Sequence, residues 1–160
     1  MVEHEIERKF FVKKMPNLSG LSSIWEERYY LYANNGIELR MQKRSSEKYE
    51  LERMSEYSNL SRIQEKIGIT KEEFKVLKQF ARGPIIRESY LLGEKPQITL
   101  KVYHGRFEGL VRVEVEFSSI EEAQQFRIPD WCGEEMTHMS LAKDAMLLDL
   151  RAEEFRRLIS

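Results

Sequence analysis

Glu3-His4-Glu5-Ile6-Glu7-Arg8-Lys9-Phe10-Phe11-Val12 is the stretch on which the fold class turns. Glu3, Glu5, Glu7 and Lys9 fall on one parity, and Ile6 and Phe10 on the other. A period of two marks a strand, whose side chains alternate between its faces. Taken alone, a charged parity is the solvent face of an ordinary sheet. The same choice recurs, however. Glu38, Arg40, Gln42 and Arg44 share one face, with Leu39 and Met41 on the other. Arg62, Gln64 and Lys66 alternate with Ile63 and Ile67, although Glu65 interrupts the apolar side. Arg112, Glu114 and Glu116 alternate with Val111, Val113, Val115 and Phe117.

Further strands are predicted over residues 24–32, 49–54, 85–92 and 97–104. Asn34-Asn35-Gly36 is a hairpin signal, because Asn and Gly tolerate positive φ. Thr70-Lys71-Glu72-Glu73 reads as a capping box, with Phe74, Leu77 and Ala81 at helical spacing and Gly83-Pro84 as the stop. Ser119-Ile120-Glu121-Glu122 opens a second helix, which ends before Pro129. Residues 129–133 read as a loop. Residues 140–159 read as one amphipathic helix with Leu141, Met146, Leu147, Leu150, Phe155 and Leu158 on its apolar side. The expected class is α+β: an antiparallel barrel with helices packed outside it and a helix at the C-terminus.

Composition narrows the function. The 160 residues are 41% hydrophobic and 33% charged, too apolar for disorder and too charged for a membrane protein. No run approaches the roughly 20 apolar residues of a membrane-spanning helix. With 26 basic and 27 acidic residues the net charge is −1, so bulk electrostatics does not draw the chain to nucleic acid. Cys132 is the single cysteine, which excludes an intrachain disulfide and a CxxC metal site. The acidic start lacks the apolar segment of a secretory signal, and a cytoplasmic location is expected. With no linker rich in Pro, Gly or Ser, residues 1–160 read as one domain.

The apolar parity needs burial, which outer helices supply. The charged parity then lines the lumen. A charged lumen is costly unless its charges pair, hydrate or bind a ligand. Mixed acids and bases suit a metal–polyphosphate complex, in which carboxylates hold a hard divalent ion and Arg or Lys clamps phosphates.

Glu5-Ile6-Glu7-Arg8-Lys9-Phe10 resembles the ExExK signature of the CYTH superfamily, the triphosphate tunnel metalloenzymes. His104-Gly105-Arg106-Phe107-Glu108-Gly109-Leu110-Val111, followed by Glu114-Val115-Glu116, resembles its late strand pair. Pro129-Asp130-Trp131-Cys132-Gly133-Glu134-Glu135-Met136-Thr137 resembles its PDWxGxEVT segment. The resemblance spans most of the chain and implies an eight-stranded antiparallel barrel forming a tunnel. It implies hydrolysis of inorganic tripolyphosphate or of a nucleoside or thiamine triphosphate, or cyclisation of ATP, with Mg2+ or Mn2+.

Carried over by position, Glu5 and Glu7 match the first-strand acids and Lys9 the phosphate-contacting lysine. Glu114 and Glu116 match the last acidic pair, so Glu5, Glu7, Glu114 and Glu116 are the expected metal ligands. Arg40 matches the first arginine of an R-x-R strand whose second falls on Gln42. Arg53 and Arg87 stand where lysines are usual, and Ser89 where an arginine is expected. Lys9, Arg40, Arg53, Arg87 and Arg112 are the expected phosphate contacts; Glu5, Glu7 and Lys9 are the expected catalytic residues. Two further acidic pairs fall on Gln64 with Lys66 and on Thr99 with Lys101.

These departures set up a rival to the triphosphatase: a polyphosphate- or nucleotide-binding protein that grips its guest without cutting it. A class IV-type adenylate cyclase is a third, weaker reading, since nothing reports orientation of a 3′-hydroxyl. Oligomeric state is left open, a homodimer included. His4, His104 and His138 lack ligand spacing, and Cys132 lacks a positioned base. Asp144 with Arg151, and Glu153 with Arg157, read as solvated helix charges.

Overall fold

The computed structural model describes residues 2–58 and 60–160. Nine strands form one antiparallel sheet: β1 (Val2–Val12), β2 (Ser23–Asn34), β3 (Ile37–Arg44), β4 (Lys48–Glu56), β5 (Ser61–Gly68), β6 (Arg82–Glu94), β7 (Gln97–His104), β8 (Val111–Phe117) and β9 (Cys132–Glu135). Their order is β5-β4-β3-β2-β6-β7-β8-β1-β9, and an additional β5–β1 pairing closes the first eight into a barrel. Strand β1 makes closure possible by its length. Residues from Val2 to Ile6 pair with β5, and residues from Ile6 to Phe11 pair with β8. The ninth strand pairs with the C-terminal part of β1, at Phe10 and Val12. It takes up Cys132 and Gly133, which the sequence reading left in a loop.

The turn at Asn35-Gly36 has φ of 51° and 73°, the two positive values a two-residue hairpin of this hand requires. Helix α1 (Lys71–Lys78) carries the full capping box expected at Thr70 and Glu73. It stops at Lys78, short of Gly83-Pro84, which begin β6 instead. Helix α2 (Ile120–Gln125) is capped by the Ser119 side chain, which accepts from the Glu122 N–H.

The C-terminal reading is corrected. Residues 140–159 are not one helix but a 3-10 turn over Ser140–Ala142, a short α3 (Asp144–Leu147) and α4 (Ala152–Ile159). The apolar spacing is real, but two interruptions serve the barrel.

Apolar side chains cover the outside of the barrel. Phe10, Leu100, Val113, Val115 and Phe117 pack beneath Ala123 of α2, and Tyr29, Met41 and Tyr49 pack beneath Phe74 of α1. A third cluster is of another kind. Tyr30, Ile85 and Tyr103, at inward positions of β2, β6 and β7, meet Leu141, Ala142, Ala145, Leu147 and Leu148. At that end the inward parity changes from charged to apolar, and residues 140–148 close the barrel.

Candidate functional site: a blind charged tunnel

The inward faces enclose a cavity of about 370 Å3. Among the described residues lining it are ten cations and nine carboxylates. Glu5, Glu7 and Lys9 of β1, Arg40 of β3, Arg87 of β6, and Arg112, Glu114 and Glu116 of β8 all line it. Arg53 does not. On β4 it alternates with Glu52, so Glu52 turns inward while Arg53 points outward to Glu65 at 3.3 Å on the surface. Its placement as a phosphate contact is therefore withdrawn. Residues Gln64, Lys66, Ser89, Thr99 and Lys101 do line the cavity.

Glu38 lines the cavity as its parity with Arg40 implies, and three further acids that the sequence reading does not place there, Glu26, Glu52 and Asp144, bring the acids close to the bases in number. Glu26 shares its parity with Arg28 on β2, so strict alternation from an inward Arg28 finds it. No local signal marks Asp144. Far from a solvated helix charge, it is 4% exposed. It accepts from Arg28 at 3.0 Å, Arg87 at 3.0 Å and Arg112 at 3.1 Å, and from the Tyr103 hydroxyl. Backbone carbonyls of the same segment accept from Lys9 at Ala142 (2.7 Å) and from Arg112 at Leu141 (3.0 Å). Five inward side chains from five strands thus converge on residues 141–144 and make the floor of the tunnel.

Other floor cations are also paired. Arg112 makes a fork on Glu114 at 2.6 and 3.0 Å. Arg40 lies 2.9 Å from Glu52, and Lys101 lies 3.1 Å from Glu26 and 2.8 Å from Ser89. Arg28 donates twice to the Gln42 amide oxygen. The Gln42 amide nitrogen and the Tyr30 hydroxyl are buried without a hydrogen-bond partner.

The opposite end, where β1 begins and β8 ends, is acidic. Glu7 is the register partner of Glu116, and Gln97 of β7 also pairs with Glu116. Exposed Glu3, Ile24, Leu91 and Gln97 rim this mouth. Electrostatics divides the two ends. Burial would raise Glu114 and Asp144, but nearby arginines outweigh it and hold both carboxyls well below the usual range. Glu52 is held at about 2, burial again being overcome by Arg40. At the mouth the cations do not outweigh burial and the neighbouring acids. Burial, then repulsion from Glu5, Glu7, Glu114 and Glu3, pushes Glu116 up to about 7. Burial and Glu7 likewise raise Glu5. Arg62 lies 3.4 Å from Glu5 and Lys9 lies 3.2 Å from Glu7, yet the glutamates still repel one another, and such a cluster suits a hard divalent ion with oxygen ligands. As the side chains stand, no three acid, imidazole or thiol groups form a preformed cage among the described residues. Glu114 is committed to Arg112 at 2.6 Å, whereas the longer contacts of Glu5 to Arg62 and of Glu7 to Lys9 leave Glu5, Glu7 and Glu116 as the donor set that fits.

No helix among the described residues is long and apolar enough to cross a membrane. No family model matches the chain. An inorganic triphosphatase of Nitrosomonas europaea is 33% identical over 146 residues, 89% of this chain and 95% of that one. The crystal structure of an inorganic triphosphatase superposes with a TM-score of 0.64 at 31% identity, covering 92% of this chain and 95% of that one. A conserved hypothetical protein from Pyrococcus furiosus shares the fold at 17% identity, with a TM-score of 0.56 over 94% of this chain and 93% of that one.

Proposed function

The chain belongs to the CYTH superfamily of triphosphate tunnel proteins, and from that premise we propose that it hydrolyses a triphosphate inside the barrel, inorganic tripolyphosphate first among the candidates. The observation that carries this reading is a closed barrel whose lumen has arginines and lysines at the floor and, at the mouth, a cluster of glutamates that repel one another around Glu116. Water attack on a terminal phosphoryl group needs positioning and charge neutralisation more than covalent chemistry. In this proposal Lys9, Arg40, Arg87 and Arg112 hold the phosphates, Arg87 and Arg112 on the sides they turn to Glu26 and Glu114, with Arg62 and Lys101 added to that set. Glu5, Glu7 and Glu116 hold Mg2+ or Mn2+, which when bound neutralises phosphoryl charge and makes water a better nucleophile. A nucleoside or thiamine triphosphate is the alternative substrate, its organic part left at the mouth near Ile24 and Leu91. We place the protein in the cytoplasm, in keeping with its one thiol, Cys132, buried and unpaired.

The binding-only reading is kept for one reason. Gln64, Lys66, Thr99 and Lys101 take inward positions where the resemblance leads one to expect acids, so the acids expected there for a second metal are replaced. Cyclisation of ATP has less support, since no aromatic side chain is among the described residues that line the cavity, where one could stack a base. Phosphate release from tripolyphosphate with Mg2+ and with Mn2+, beside ATP and a cyclic-AMP readout, separates the three. Metal-stimulated release supports hydrolysis. Tight binding without release selects the binding protein. Cyclic AMP overturns both.

A further inference from the structure

Asp144 does a job that hydrolysis of a triphosphate does not explain. A carboxylate gripped by three guanidinium groups and a phenol has the surroundings of a bound phosphoryl group, because Arg forks match both anions. The chain itself supplies this anion. We propose that Asp144 sets how deep a polyphosphate can enter, and so how many phosphoryl groups the tunnel accepts, by filling the seat on Arg28, Arg87 and Arg112 that one further phosphoryl group would take.

Three observations support this. First, the seat is donor-rich. Arg28, Arg87 and Arg112 come from β2, β6 and β8 and meet only at Asp144, and the unpartnered Gln42 amide and Tyr30 hydroxyl adjoin it. Secondly, the carboxylate is fixed. Its segment is anchored on both sides by Leu141 and Leu147, each at most 2% exposed, and by the carbonyls that hold Lys9 and Arg112. Displacing Asp144 would strip that apolar cluster as well as the ion pairs, so a guest stops against it. Thirdly, the wall beyond Asp144 is apolar: Tyr30, Ile85, Tyr103 and Leu147 offer a phosphate chain no onward path. A phosphate chain therefore enters from the acidic mouth and stops at the carboxylate.

This inference rests on the phosphate-binding reading above, and calorimetry can test the two apart. Linear chains of two, three and four phosphoryl groups are titrated into the wild-type protein in chelator, and again with Mg2+ at low temperature. Asp144→Ala and Asp144→Ser are titrated alongside, with thermal melts to verify folding. In the wild type, affinity should rise from pyrophosphate to tripolyphosphate and stay within about three-fold on going to tetrapolyphosphate. In the variants the tetrapolyphosphate to tripolyphosphate affinity ratio should rise at least ten-fold. An unchanged ratio in folded variants overturns the inference. A wild-type gain from three to four groups as large as that from two to three does so too, and decides the matter by itself should the variants not fold. Failure of every chain to bind, with and without metal, removes the phosphate reading and this inference with it.

Discussion

Glu114 and Glu116 stand two residues apart on the same face of β8, yet burial raises one and fails to raise the other. The difference is their neighbours: Arg112, Lys9, Lys101 and Arg87 around Glu114, and four other glutamates around Glu116. Glu116→Gln and Glu7→Gln should each lower metal-stimulated release by about 100-fold, the order seen when one preorganised charge contact is lost. Folding should be unaffected, and unaltered metal dependence in both would move the metal elsewhere. Arg53→Ala should change neither turnover nor stability beyond about 0.5 kcal/mol, because its pair with Glu65 is exposed. A larger loss in tripolyphosphate affinity would put Arg53 back in the site. Both Arg53 and Asp144 show where reading residues one at a time fails. On β4, Tyr49 and Leu51 share Arg53's parity while Met54 shares that of Glu52, so hydrophobicity did not pick the inward face. Asp144 reads as an ordinary helix acid until three strands far away in sequence deliver their arginines to it.

Strand β1 was legible because its charged parity runs unbroken from Glu3 to Lys9, although His4 and Arg8 interrupt the apolar one, and a one-residue slip would exchange lumen and core. The structure buries Phe10 fully and Ile6 in part, beside α2. Phe10→Ala should therefore cost about 3–5 kcal/mol in denaturant unfolding, whereas Lys9→Ala should leave the protein folded and weaken polyphosphate binding. Tolerance of the first with collapse of the second would invert the barrel. Helix α1 was legible for a different reason, a complete capping box, and Thr70→Ala should cost about 1 kcal/mol. The segment 140–159 was not legible as three pieces. Leu141, Leu147, Leu150 and Phe155 keep helical spacing, but Lys9 and Arg112 take carbonyls at 141 and 142 that a continuous helix would bond to its own backbone. Tertiary cations, invisible to local pattern, won that competition.

Across the whole molecule the two ends of the tunnel should respond to pH in opposite directions. Glu52 is depressed to about 2 from 4.5, so its contribution is present above pH 4.5 and lost as pH falls through 2, at most about 3 kcal/mol, with Asp144 and Glu114 acting in the same sense. Glu116 is raised to about 7, so in chelator stability should fall as pH rises from 4.5 through 7. Solvent screening of this half-buried group limits the fall to about 1–2 kcal/mol. Denaturant midpoints at pH 5 and pH 8 should show that decline in the wild type and not in Glu116→Gln; an equal decline in both would locate the cause outside the mouth. Closure of the barrel likewise belongs to this scale, since no local pattern announced that β1 would split its partners between β5 and β8. The pairing of the floor cations has one more outcome. Because Arg28, Arg40, Arg87, Lys101 and Arg112 already hold carboxylates, the lumen is an ion exchanger loaded with its own resident counter-ions. An incoming anion succeeds only by displacing Glu26, Glu52 and Glu114 while Asp144 keeps its seat, which favours guests of dense, multiple charge over chloride or acetate in the surrounding buffer.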